Sequence, residues 1–179
     1  MGNAVAIWHT EHRYFQRLLD LLQREVDVFH SGERPNYDLM LDVITYLREY
    51  SDRFHHPRED VAFERLVRHH PKLALTIARL KQEHSVIARA GETLLKLLNE
   101  ALGDAVVARA EIEVAAATYL VYYGNHIAKE EETVLGLAEK SLTPQDWEAV
   151  KAAVPAGSDP LFGESPAEHY RQLRHSLRI

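Results

Sequence analysis

Apolar residues recur at helical spacing along most of the chain. From Ala4 to Phe29, the residues Val5, Trp8, Phe15, Leu18, Leu19, Leu22, Val26 and Phe29 form one stripe, the pattern of a helix with one buried face. The segment "HSGERPN" at 30–36 ends it, because Gly32 and Pro35 are turn formers. A second stripe runs from Tyr37 to His69 through Met40, Val43, Ile44, Leu47, Phe54, Val61 and Leu66. Pro71 fits the first turn of a third helix carrying Leu73, Ile77, Leu80, Ile87, Leu94, Leu95 and Leu98. "LGDA" at 102–105 closes that helix, with Gly103 as C-cap and Asp104 as N-cap of a fourth helix over 105–139. In "LTPQDWEAV", Thr143, Pro144 and Asp146 predict a capped fifth helix. Beyond Pro155 the chain is rich in Gly and Pro, with a last short helix predicted around 166–177.

No segment alternates with strand period. Four long helices on short connections predict an all-α fold, an up-down-up-down antiparallel four-helix bundle with a short additional C-terminal helix and tail. Residues 1–154 are expected to form the bundle and fifth helix, and 155–179 a loop-rich tail packed on it.

Polar residues interrupt these stripes in a repeating way. Glu-His occurs at Glu11-His12 and again at Glu83-His84. A His followed one turn later by two acidic residues occurs at His55–Glu59–Asp60 and at His126–Glu130–Glu131. His12 to His55 spans 43 residues and His84 to His126 spans 42, so the two halves match. At about 100° per residue, His12, His84, His126 and Glu130 lie on apolar faces, and His55 and Glu59 lie at the edge of one. Glu83 and Glu131 are rotated off, and His56 and Asp60 fall toward solvent unless a shift of helix phase at Pro57 turns them in. Pro57 removes a backbone bond to Arg53 and is expected to loosen the helix there and aim His55. Counted from the connecting turns, the six inward residues stand at similar heights.

Burying two unpaired carboxylates is very costly, and each of four buried histidines needs a partner. A metal site meets both needs. Imidazole and carboxylate suit iron, zinc, manganese or nickel. Six such groups exceed one tetrahedral zinc, and suit two metals with two His each and both Glu bridging. Tyr119 and Tyr123 also face inward, as packing or as a phenol bonded to a ligand. Trp8 reads as a lid on the open end of the core. His9 is placed at the bundle mouth, as a replacement ligand or supporting group, and His30, His69, His70, His169 and His175 in solvent.

Composition narrows the chemistry further. The 179 residues contain eleven His and no Cys, and the net charge is −6 with His neutral. Disulfides, thiolate nucleophiles and Cys-ligated metals are thereby excluded. The acidic balance disfavours nucleic acid. The longest apolar run, "VAAATYLVYY", is too short to span a membrane, and the N-terminus lacks the basic start of a secretory signal. A cytoplasmic monomer or homodimer is expected, without membrane or nucleic-acid partners.

The segments "EHRYFQRLLDLL", "FHHPREDVAFERL", "QEH" and "NHIAKEEETVLGLAE" together resemble the hemerythrin-like (HHE cation-binding) family over residues 5–140. The resemblance implies a non-haem diiron centre, oxo- or hydroxo-bridged. Carried over by position, its ligands are His12, His55, Glu59, His84, His126 and Glu130. Oxygen-carrying members have a second histidine one turn from the third-helix ligand, where this chain has Leu80 and Ala88. They also have His-x4-Asp where this chain has His-x3-Glu. Fewer histidines imply open metal positions, hence binding of or reaction with oxygen, hydrogen peroxide or nitric oxide in sensing or stress response. The alternative is non-catalytic iron storage or delivery, or a metal-responsive interaction module. No residue is singled out as a catalytic group. A ferritin-type site needs Glu-x-x-His on two helices, and the four bundle helices contain none.

Overall fold

The computed structural model describes residues 4–103, 106–154 and 157–179. All regular structure among them is helical. Helix α1 is Ala4–His30 and ends in a turn where Gly32 adopts φ 81°, a conformation that favours glycine. Asn36 caps α2 (Tyr37–Tyr46) by accepting from the Leu39 amide. The helix then continues as a π-segment, Leu47–His55, and returns to α-geometry in α3 (His56–His69). Pro71–Leu73 form a 3-10 turn before α4 (Ala74–Leu102), whose C-cap is Gly103.

The fourth predicted helix differs from expectation at both ends. It begins at Arg109 (α5, Arg109–Thr133), not at 105, and its N-cap Ala108 offers no side-chain bond. The β-branched pair Val106-Val107 does not favour an earlier start. Arg109 instead ties the helix start to α1, donating to the Phe29 carbonyl at 2.8 Å. The expected cap Asp104 lies outside the described residues. At the far end Val134 (φ −120°) breaks the helix before α6 (Leu135–Ser141). Thr133 bonds back to the Lys129 carbonyl, which bends a helix, and the break lets both Val134 and Leu135 bury fully. Thr143 and Asp146 make the expected reciprocal capping box at α7 (Pro144–Ala153), with Pro144 at its first position. A 3-10 turn at Glu168–Tyr170 leads into α8 (Arg171–Leu177).

Each long helix touches two others: α1 packs on α5 and α2, and α4 on α5 and α2. Their buried residues fall into two apolar clusters. The larger holds Phe15 to Phe29 of α1, Leu39 to Tyr50, Ile87 to Leu98 of α4 and Ile112 to Ile127 of α5. The smaller holds Val5, Trp8, Ala62, Phe63, Leu66, Ile77, Leu80, Val134, Leu135 and Ala138. Between them on every long helix lie the buried polar residues: His12, then His55, His56 and Glu59, then His84, then His126 and Glu130.

The C-terminal segment adds Leu161, Tyr170, Leu173 and Leu177 to the larger cluster. It also touches the π-segment. Tyr170 donates to Glu49, and Gly157 lies so close to Phe54 that a Cβ there would stand 2.8 Å from its ring.

Candidate metal centre

The π-segment decides what the second long helix presents. The His56 amide donates to the Ser51 carbonyl, five residues back. Pro57 has no amide to give to the Arg53 carbonyl, and one residue on, Arg58 Nε donates to the Phe54 carbonyl at 2.7 Å. Five-back bonding puts an extra residue in the turn, so consecutive side chains diverge by a smaller angle. His55 and His56 therefore both point inward, and His56 is only 4% exposed. The sequence pattern placed His56 toward solvent; the wider turn overturns that. The predicted loosening at Pro57 is present, and it turns in both members of the doublet. From Glu59, α-geometry resumes and aims Glu59, Ala62, Phe63 and Leu66 along one face.

The six residues expected inward are all buried, and the structure brings them together. Glu59 Oε1 lies 3.4 Å from His12 Nε2 and 3.2 Å from His55 Nε2, while its Oε2 lies 3.7 Å from His84 Nε2. Glu130 mirrors this. Its Oε1 lies 3.4 Å from His84 Nε2 and 3.1 Å from His126 Nε2, and its Oε2 lies 3.5 Å from His12 Nε2. Each carboxylate thus turns one oxygen to His12 and the other to His84. Two groups have ligand atoms mutually within 4.8 Å and could each hold a metal: His12, His55 and Glu59, and His56, Glu59, His84 and His126.

The outward nitrogens of the histidines are tied to acids outside the six inward residues. His55 donates from Nδ1 to Glu11 at 2.6 Å, His12 to Glu131 at 2.7 Å, His84 to Asp60 at 2.9 Å and His126 to Glu83 at 3.2 Å. A carboxylate only accepts, so Nδ1 carries the proton and Nε2 is left as a lone pair facing inward. Glu11 is fixed in turn by the Tyr50 hydroxyl at 2.7 Å and by Arg58 at 3.1 Å. Glu131 also accepts from His9 at 2.6 Å, which places His9 as a support behind His12. The spacing that gave Glu-His twice in the sequence held part of this signal. Glu11 backs His55 on the next helix, and Glu83 likewise backs His126.

The site needs positive charge. Among the described residues, no oxygen of Glu59 or Glu130 and neither Nε2 of His84 and His126 has a hydrogen-bond partner, although all are buried. His12 Nε2 and His55 Nε2 face one another at 3.0 Å, so one of the two rings has to carry a proton there unless a cation lies between them. Burial opposes charge on His12 and His84. Even so, Glu131 and Glu59 for the first, and Asp60 and Glu130 for the second, push each up to about 10. Burial likewise favours the neutral acid at Glu59, yet the neighbouring His55 and His12 hold it well below the usual carboxylate range. His56 differs: burial and the adjacent His84 push it well below the ordinary histidine value, leaving it neutral. Orphaned carboxylate oxygens and inward imidazole lone pairs fit a divalent or trivalent transition metal.

Tyr123 and Tyr119 are fully buried as expected. The Tyr123 hydroxyl bonds Ser51 rather than a site residue, and Ser51 Oγ lies 3.2 Å from His56 Nε2. Trp8 covers the centre from the smaller cluster, edge-on to His55 at 6.4 Å. On one side a surface hollow of about 280 Å³ reaches His12, lined also by His9, Arg13, Gln16, Ile127 and Glu131. His69 bonds Asp146 at 2.9 Å, away from the centre.

Residues 3–138 match the model of the hemerythrin HHE cation binding domain. No curated protein and no solved structure gives a match.

Proposed function

The chain belongs to the hemerythrin HHE cation-binding family, and on that premise we propose that it holds two non-haem iron ions and binds or reacts with oxygen, hydrogen peroxide or nitric oxide, in sensing or stress response. The ligands in this reading are His12, His55, Glu59, His84, His126 and Glu130. One observation carries it: Glu59 and Glu130 each direct one oxygen to His12 and the other to His84, as two carboxylates bridging a pair of ions would. The order in which the long helices cross the two apolar clusters supports an antiparallel up-down-up-down bundle. Residues 1–154 form the unit in this reading, with 155–179 as its covering tail. We place it in the cytoplasm as a monomer or homodimer. Among the described residues no helix is long and apolar enough to cross a membrane.

Bound iron would supply the ligand-binding and redox chemistry that none of these side chains has. The chain's own residues orient and shield it. Glu11, Glu131, Asp60 and Glu83 fix the imidazoles in one tautomer. Trp8 and Phe15 close over His55 and exclude bulk water, and the hollow beside His12 gives a small molecule a way in. The test is anaerobic ferrous loading, then separate exposure to oxygen, peroxide and nitric oxide under optical spectroscopy. Uptake of about two ions per chain and new charge-transfer bands are expected. Uptake well below two, or no spectral response to any of the three, would overturn the reading.

A further inference from the structure

The third helix has no histidine one turn either side of His84: Leu80 and Ala88 stand there. We propose that His56 is a further metal ligand, donated by the π-turn of the second helix in place of a third-helix histidine. This rests on the two-iron reading and deepens it.

The geometry is specific. His56 brings a ring nitrogen within 4.8 Å of ligand atoms from Glu59, His84 and His126. Its ring lies flat on His84, with centroids 4.2 Å apart and planes 13° from parallel, and stands edge-on to His126 at 5.6 Å. The backbone has departed from α-geometry at this point, with the His56 amide bonded five residues back. In a plain α-helix two adjacent residues diverge by about 100° and cannot both serve one centre. π-turns carry a cost and gather at functional sites. As packing alone the arrangement is poor. His56 shares the Ser51 hydroxyl with Tyr123. Its Nδ1 stands 3.4 Å from Asp52 Oδ1, which has no hydrogen-bond partner among the described residues. Both contacts of this buried imidazole are long, and a metal at the Glu59–His84–His126 corner offers it a stronger partner. The two halves of the site then differ: His12 and His55 serve one, and His56, His84 and His126 serve the other.

The test uses the full chain in four forms: wild type, His56→Gln, His56→Leu and His56→Glu. Ferrous ions are titrated anaerobically against a competing chelator, and 57Fe-loaded samples are read by Mössbauer spectroscopy. Thermal melting of the metal-free forms is followed in parallel. Wild type is expected to take up two ions in two distinguishable environments. His56→Gln and His56→Leu keep one ion at wild-type affinity and bind the other at least ~10-fold more weakly, with metal-free melting unchanged or raised. His56→Glu, which can still ligate, retains both. Wild-type affinity and spectra in His56→Gln would overturn this assignment alone. Equal loss in His56→Glu and His56→Leu would do the same, by showing that the ring is needed for packing. A wild-type chain that takes up no iron would overturn the two-iron reading and this assignment together.

Discussion

The second long helix and α5 each carry a histidine four residues before a glutamate, yet they deliver the pair by different backbones. In α5 the helix runs unbroken through His126 and Glu130, and one residue per turn faces the centre. In the second helix the corresponding histidine ends a nine-residue π-segment, and its neighbour enters as well. The backing differs too. Glu83, behind His126, is part-exposed and shared with Lys129. Glu11, behind His55, is buried and held by Tyr50 and Arg58. The regular helix turns one histidine inward there, whereas the irregular one turns in two and is braced from behind.

The strongest test of this comparison asks whether the two glutamates are equivalent. Glu59→Gln and Glu130→Gln should each weaken both metals, by 100-fold or more, beyond the ~10–100-fold typical of losing a supporting residue. Chelator competition measures this. The metal-free forms should melt lower than wild type, because each change takes away a buried carboxylate that pairs with neighbouring histidines. Loss of only one ion in either variant would show that the glutamate does not bridge.

Next comes the backing. Glu11→Gln should cost about 10–100-fold in metal affinity, and Glu83→Gln visibly less, because its carboxylate is the more exposed of the two. Equal losses would remove the asymmetry. A third test addresses the brace. Gly157→Ala drives a methyl into the Phe54 ring of the π-segment and should lower stability by ~1–3 kcal/mol, read by chemical denaturation. α5 has no such close approach at a glycine: Gly124 has open space.

The smallest effect sets the baseline outside both halves. Burial would raise Asp146, but its bonds to Thr143 outweigh that, with help from His69 and Arg65, and its carboxyl titrates well below the ordinary 3.8. A depressed acid stabilises the fold above its unfolded pKa and loses that contribution as pH falls through its folded pKa. Asp146→Asn should therefore cost ~1 kcal/mol near neutral pH and nothing at strongly acid pH, with metal affinity unchanged.

The apolar stripes were enough to place the helices, and adding helical phase placed four of the six inward residues firmly and His55 and Glu59 at an edge. What escaped was local. A period of 100° assumes α-geometry, so it could not foresee that a π-turn would bring His56 inward. Pro57 was the one visible warning, and it marked the place but not the size of the shift. Asp60, Glu83 and Glu131 read as lying off the apolar face, and Glu11 was legible only as half of a repeated Glu-His pair. Their task is to reach sideways to a histidine on another helix, which no single-helix pattern encodes. The late start of α5 and its break at Val134 depended on weak propensities and on contacts with α1 and the smaller cluster.

The division of the core also has an optical consequence. The chain's two tryptophans, Trp8 and Trp147, lie together on one side of the polar layer, ring to ring at 5.5 Å. Tryptophan fluorescence therefore watches only the smaller cluster, with Trp8 against His55, where a paramagnetic ion would quench it. Tyrosines 46, 50, 119, 123 and 170 report from the other side. Emission excited at the red edge, where tyrosine does not absorb, would follow the tryptophan side of the core alone, and chelation would make it brighten.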